Sequence, residues 1–319
     1  MIGNDILKSC RVGVLAGGAS SEREISLKSG RAVHSALTGL EIDSVFIDVD
    51  ESALVEEIRR QGVNVAFIAL HGKFGEDGTV QQLLSSAGVP YTGSDPTASH
   101  SAIDKLVSKQ KFREAGLLVP NGRSVVLGVD LEAVIDAISL PCVVKPRYEG
   151  SSIGLSVVAE KGKIAKAIQI GLKFGNEVIV EDFIPGREIT VGVLEGKALP
   201  VIEIMAVGGV YDYGSKYVSS GTMYNVPAKI GDENSIKAQG LGLAAHNALG
   251  CSGFSRTDMR MTPEGDFYVL EVNTIPGLTE KSLLPMAAKV DGVDFGQLCV
   301  KMLESAFSGK FLKQIGEIS

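Results

Sequence analysis

Through its first third the chain alternates short apolar runs with longer amphipathic stretches. Arg11 to Ala16 is an apolar run, followed by Gly17-Gly18-Ala19-Ser20-Ser21 and a helical period from Glu22 to about Leu37. The pattern then repeats. Ser44 to Asp48 reads as a strand, Ala53 to Gln61 as a helix, Asn64 to Leu70 as a buried strand and Thr79 to Ser86 as a helix. Such alternation predicts a parallel α/β sheet, because parallel neighbours need a crossover between them. Tyr91-Thr92-Gly93-Ser94-Asp95-Pro96 marks the exit from this first domain.

The later pattern differs. One helix is predicted from Ala98 to Ala115, after which Pro120 and Gly122 turn the chain into shorter strands. Pro141-Cys142-Val143-Val144-Lys145-Pro146, Val178 to Ile184 and Ile189 to Leu194 read as strands, Ser235 to Leu249 as an alanine-rich helix and Phe295 to Phe307 as a closing helix. Near the end, two runs rich in Val, Tyr, Phe and Met flank Thr262-Pro263-Glu264-Gly265-Asp266, the signature of a β-hairpin. There is no internal repeat.

Composition narrows the class. With 319 residues, 45% of them hydrophobic and 22% charged, the chain is globular and long enough for two domains or three small ones. No apolar run approaches the roughly 20 residues that cross a bilayer, and the run after Lys8 is too short and glycine-rich for a secretory segment. The four cysteines (Cys10, Cys142, Cys251, Cys299) and the four histidines (His34, His71, His100, His246) are scattered, so neither a disulfide framework nor a zinc site is indicated. A reducing cytoplasm fits. A net charge of −7 argues against a nucleic-acid surface, though not against a local basic pocket.

The candidate chemistry centres on the hairpin. Asp258 falls across from Glu271 within a residue or so, and the period of two puts Glu271 and Asn273 on one face. Two carboxylates and an amide are hard oxygen donors of the kind that hold a nucleotide-bound Mg²⁺; alone, they also fit a solvated surface hairpin. The continuation Thr274-Ile275-Pro276-Gly277-Leu278-Thr279 adds a tight turn with free backbone N–H groups, suited to an oxyanion.

Other loops carry further candidates. The glycine loop after the first strand lacks the third glycine of a dinucleotide fingerprint, which removes a nicotinamide cofactor. Ser21 and Glu24 have capping-box spacing, leaving Glu22 to face a ligand such as an ammonium. In His71-Gly72-Lys73-Phe74-Gly75-Glu76-Asp77-Gly78, His71 and Glu76 are site candidates at a strand's C-terminal end, while Asp77 and Gly78 read equally well as a helix start. Lys145 ends a strand just before Glu149-Gly150-Ser151-Ser152-Ile153-Gly154, and the combination fits phosphate better than either half. Pro185-Gly186-Arg187-Glu188 breaks two strands and reads as a hinge or a plain turn. Tyr211, Tyr213, Lys216, Tyr217 and Tyr224 lie in a Gly- and Ser-rich stretch that predicts a loop folded over a site.

The motifs GGASSEREIS, ALHGKFGEDGTVQ, YTGS, DKLVSK, VVKPRYEGSSIG, YDYGSKY, Arg256-x-Asp258 and EVNTIPGLTEKSLLP occur in this order from about Arg11 to Leu303. Together they resemble the ATP-grasp superfamily and, within it, the D-alanine-D-alanine ligase family. The resemblance implies an N-terminal parallel α/β substrate domain (1–97) and two lobes (98–184 and 185–319) whose antiparallel sheets sandwich ATP. It implies that Lys105 and Lys145 contact phosphates beside Ser151 and Ser152, that Glu181, Asp182, Phe183 and Ile184 line the adenine, and that Glu188 takes the ribose. Asp258, Glu271 and Asn273 would hold two Mg²⁺ ions, with Mn²⁺ able to substitute. Glu22 would bind the ammonium of the first D-alanine and Ser282 the carboxylate of the second. Arg256 and the backbone of Gly277 would steady the tetrahedral intermediate. YDYGSKY would form the lid, with Lys216 on the transferred phosphate and Tyr217 linked to Ser151 and Glu22. Tyr217 resembles dipeptide-forming members, whereas relatives that make D-alanyl-D-lactate typically differ in this loop. D-lactate or D-serine ligation, and a nucleotide-binding regulator without turnover, are the alternatives. A cytoplasmic homodimer, as is common among relatives, is a further expectation.

Overall fold

Strand β1 (Val12–Gly17) is buried along its whole length and lies between β2 (Ser44–Val49) and β3 (Val65–Ile68) in a parallel sheet of order β2-β1-β3. The computed structural model describes residues 7, 9–128, 131–206 and 221–307. Helices Arg23–Gly39, Leu54–Arg60 and Thr79–Ser86 alternate with these strands, as the sequence predicts. The first helix sits so close to β1 that a Cβ on Gly30 would lie 2.4 Å from the Ala16 Cβ. At the sheet's C-terminal edge Ser26 Oγ accepts the Gly17 N–H and donates to the Ala69 carbonyl, satisfying backbone groups that the short strands leave over. The expected Ser21–Glu24 capping box does not form. The helix starts one residue later than that box requires, with Glu22 at the cap position and its N–H donated to Ser20 Oγ.

The helix predicted from Ala98 to Ala115 is two helices, Pro96–Ile103 and Lys105–Glu114. Asp104 breaks it. Its backbone is extended, and its carboxylate accepts the N–H groups of Leu106 and Val107 while also taking Arg147 from a distant loop. That long-range partner favours a fresh helix start over continuation.

Two antiparallel sheets follow. β4 (Gly122–Val126), β5 (Cys142–Pro146), β6 (Ser156–Val158) and β7 (Glu177–Asp182) form one in the order β4-β7-β5-β6, backed by helix Ile164–Gly171. β8 (Arg187–Leu194), β9 (Lys197–Ala198), β10 (Ile202–Met205), β11 (Met223–Asn225), β12 (Phe254–Met261) and β13 (Phe267–Asn273) form the other in the order β11-β10-β8-β12-β13, with β9 on β8 and helix Asp232–Ala248 behind. Between the sheets the chain passes Gly186 at φ +119°, where a Cβ would lie 2.1 Å from the Met261 carbonyl oxygen. Only glycine fits there.

Core packing crosses these units. Phe112 and Leu117 share one apolar cluster with Met259 and Val269, so helix Lys105–Glu114 packs on the C-terminal sheet although it precedes the central one in sequence. Val33 and Leu37 pack with Leu298 and Met302 of helix Phe295–Ser305, which draws the end of the chain onto the first domain. Among the described residues no helix is long and apolar enough to cross a membrane.

Candidate active site

In the hairpin Asp258 pairs directly with Glu271, and Arg256 with Asn273. Directly opposed residues share a face, so all four side chains emerge on the same side of the sheet. Two facing carboxylates repel. Arg256 relieves part of this by gripping Asp258 with both arms (Nε to Oδ1 2.8 Å, Nη2 to Oδ2 2.6 Å), and Thr190 on β8 donates to Oδ1 at 2.6 Å. The Asn273 side-chain oxygen accepts the Ile275 N–H at 2.9 Å. Carboxylate, carboxylate and amide oxygen suit Mg²⁺ by donor chemistry. Among the described residues no three His, Cys, Asp or Glu side chains gather as a metal group, and the third oxygen side chain beside the two carboxylates of this hairpin is the amide of Asn273.

Opposite the hairpin, β5 carries Lys145 just before its last residue, Pro146, and β7 carries Glu181. Lys145 Nζ lies 2.6 Å from Glu181 Oε1, and Lys109 Nζ lies 2.6 Å from Oε2 in a close ion contact that is poorly angled for a hydrogen bond. Burial opposes charge on Glu181, but the two lysines outweigh it and hold the carboxyl below its ordinary range. The same burial pulls Lys109 down to about 8 and lowers Lys105 as well. Lys105 Nζ donates to the Glu149 carbonyl. The Glu149 carboxyl is raised, first by burial and then by the charge of Glu22.

The loop after β5 places Ser151 and Ser152 in left-handed conformations, at φ +48° and +58°. Non-glycine residues rarely adopt these in succession. Ser151 Oγ donates to Glu22 Oε1, while Glu22 Oε2 is buried without a hydrogen-bond partner.

Two cavities adjoin. Glu22, Ser151, Arg256, Asn273, Gly277 and Ser282 line the first. The second is lined by Lys145 and Ser152, by Glu181, Asp182, Phe183 and Ile184, and by Glu188 and Asp258. Lys105, Glu149 and Glu271 line both and form their common wall. The structure thus brings every described candidate to one of two adjoining cavities. Lys216 and Tyr217, with Tyr211 and Tyr213, lie outside the described residues.

The His71 loop serves both readings of it. His71 Nδ1 lies 3.0 Å from the Ile275 carbonyl, which can only accept, so Nδ1 carries the proton and Nε2 accepts from Ser29 Oγ at 3.0 Å. Burial lowers its pKa and keeps the ring neutral. Glu76 lines the first cavity and is raised well above its ordinary range, by burial first and then by Glu22. Asp77 instead closes the turn, accepting the N–H groups of Phe74 and Thr79.

Three features escaped sequence reasoning. Arg260 donates to the Ile184 and Gly186 carbonyls at 3.1 and 2.9 Å and pairs with Glu188 at 3.2 Å, fixing the segment between the sheets. Helix Leu283–Val290 begins right after Ser282, whose Oγ lies 2.9 Å from Thr279 Oγ1 rather than capping that helix. Lys109 is buried at 3% exposure. The i, i+4 spacing of Lys105 and Lys109 is the one signal that pointed to the last.

A parallel α/β domain followed by two antiparallel sheets enclosing a lysine- and carboxylate-lined cleft is the ATP-grasp architecture. The family model described as D-ala D-ala ligase C-terminus matches residues 126–304, and that of the D-ala D-ala ligase N-terminus matches residues 51–94. The chain belongs to the D-alanine-D-alanine ligase family, and it is an enzyme of the ligase class. It is 45% identical to the D-alanine--D-alanine ligase of Geotalea uraniireducens over 95% of this chain and 97% of that one. The crystal structure of D-alanine--D-alanine ligase from Bacillus anthracis complexed with ATP superposes with a TM-score of 0.83 at 33% identity, covering 97% of this chain and 100% of the other. The VanG D-Ala:D-Ser ligase of Enterococcus faecalis gives 0.80 at 30% identity over 93% and 99%.

Proposed function

We propose that the enzyme joins two D-alanine molecules with ATP, through a D-alanyl phosphate. The observation that carries this reading is the common wall of Lys105, Glu149 and Glu271 between a cavity lined by Lys145, Ser152 and the Glu181 to Ile184 segment and one holding Glu22 and Ser282. A carboxylate cannot be displaced by an amine until one of its oxygens becomes a leaving group. ATP supplies that group where the two cavities meet.

The first D-alanine places its ammonium on Glu22, whose unpartnered Oε2 is the matching acceptor, with Ser151 fixing the other oxygen. Its carboxylate oxygen attacks the terminal phosphorus of ATP and ADP leaves. The nucleotide lies along Glu181 to Ile184, with its ribose at Glu188 and its phosphates at Lys105, Lys145 and the Ser151-Ser152 loop. Asp258, Glu271 and Asn273 are the residues that would hold Mg²⁺, or Mn²⁺ in its place, and the ions would neutralise phosphate charge. The second D-alanine sets its carboxylate at Ser282, where a helix start favours an anion. Its amine, having lost a proton, attacks the acyl carbon and phosphate leaves. Arg256 and the Gly277 N–H face the oxyanion, which requires Arg256 to turn from Asp258. The acyl phosphate hydrolyses readily, so the reaction requires that water be kept from it. Domains at 1–97, 98–184 and 185–319 and a cytoplasmic setting complete the proposal.

Likeness to the D-Ala:D-Ser ligase structure supports D-serine at the second position as the alternative reading. Phosphate release with Mg-ATP is expected with D-alanine and not with L-alanine, and D-serine and D-lactate offered beside limiting D-alanine identify the second acceptor. Equal release with D- and L-alanine, or none with either, sinks the proposal.

A further inference from the structure

Lys109 is charged, sealed from water and absent from both cavity linings. Its side chain is 4% exposed, as deeply placed as that of Glu181 at 3%. Helical spacing puts it on the same face as Lys105, one turn further along. Lys105 reaches the wall shared by the cavities. Lys109 stops behind it, with its ammonium 2.6 Å from Glu181 Oε2.

Glu181 therefore carries two lysines on one carboxylate, Lys109 from behind and Lys145 from the cavity side. The charge balance explains the arrangement. Were Lys145 the sole partner of Glu181, the pair would be neutral and Lys145 would have little field left for a polyphosphate. With Lys109 neutralising the carboxylate, the surplus positive charge rests on the lysine that lines the nucleotide cavity.

A second ion link starts from the same helix. Asp104, at its first turn, takes Arg147 through both oxygens, and Arg147 continues to Glu177 at 2.8 Å. Glu177 and Glu181 are the first and fifth residues of β7. The helix packs on the C-terminal sheet, so a buried ion link at Glu181 and a partly exposed one at Glu177 tie that lobe to one strand of the central lobe. Lys105 lies between them.

We infer that Lys109 is a positioning residue for the nucleotide: it neutralises and anchors Glu181 so that Lys145 keeps its place and its charge for the phosphates. This rests on the ATP-dependent reading above. The test is calorimetric binding of Mg²⁺ with a non-hydrolysable ATP analogue to the full chain carrying Lys109→Met or Lys109→Arg, together with the KM for each substrate. Lys109→Met is expected to weaken analogue binding and raise the KM for ATP by about tenfold or more while the KM for D-alanine stays within about twofold, and Lys109→Arg is expected to recover most of the loss. Unchanged analogue binding in Lys109→Met, equal losses for both substrates, or no recovery by arginine overturns the inference. Should Lys109→Met not fold, Lys109→Gln, which keeps a hydrogen-bond donor for Glu181 without the charge, takes its place in the same measurements. It is expected to bind the analogue about tenfold more weakly with the KM for D-alanine unchanged. Wild-type binding in that variant overturns the inference, and so does its failure to fold, which would make the triad a requirement of folding alone. A wild-type chain that does not bind the analogue contradicts the ligase reading instead.

Discussion

Ser151 donates its hydroxyl to Glu22 although 129 positions separate them, joining the loop after β5 to the start of the first helix. The contact leaves one buried carboxylate oxygen of Glu22 for a ligand. Glu22→Gln is expected to lower kcat/KM for D-alanine by about a hundredfold and Ser151→Ala by about tenfold, the range for hydrogen bonds to charged groups. For Glu22→Gln the KM for ATP should change little. Steady-state kinetics with each substrate varied in turn checks both.

Glu271 faces Asp258 across the hairpin and borders both cavities. Glu271→Gln keeps the shape and removes the charge, so Mn²⁺ affinity in the presence of ADP should fall by about tenfold or more. Paramagnetic resonance of free Mn²⁺ measures this without turnover. Unchanged affinity would remove Glu271 from the metal site.

The buried histidines make acid destabilising above the ordinary carboxylate range, against the opposite pull of Glu76, whose raised carboxyl gains from protonation in the fold. His246 is buried against Ser255 Oγ at 2.7 Å, and burial pulls its pKa to about 4. Because the unfolded chain protonates near 6.5, the neutral folded form is fully favoured above that pH, and the advantage is lost progressively as pH falls towards 4. Between pH 7 and pH 5 this group contributes a loss of about 2 kcal/mol. His71 pushes in the same direction, and Glu181, held below its ordinary value of 4.5, adds its loss at still lower pH. Urea unfolding at the two pH values should show the drop, and His246→Gln should flatten it.

Gly186→Ala should cost about 2 kcal/mol or more, since the position combines a left-handed φ with a backbone oxygen where the methyl would go. The Gly186 carbonyl also accepts from Arg260, which pairs with Glu188, so the KM for ATP should rise as stability falls. Thermal unfolding and kinetics on the same preparation test the two effects together.

Much of this was readable in the residues. The strand-helix alternation predicted the parallel sheet, and the period-two argument placed Glu271 and Asn273 on the face that Asp258 joins. What escaped depended on partners far along the chain. Asp104 breaks a helical pattern because Arg147 arrives 43 positions later, and Lys109 looks like any surface lysine until Glu181 of another sheet covers it. Arg260 sits in a regular strand, and only the returning segment at Ile184 and Gly186 gives it a role. Local periodicity carries elements and faces. Ion links between lobes belong to the tertiary fold.

The most direct measurement follows an oxygen atom. D-alanine labelled with heavy oxygen in its carboxyl group, turned over with Mg-ATP, should yield D-alanyl-D-alanine together with inorganic phosphate that carries one labelled oxygen, because that oxygen leaves the carbonyl bound to phosphorus. Phosphate free of label, with dipeptide formed all the same, would contradict activation of the carboxylate by ATP.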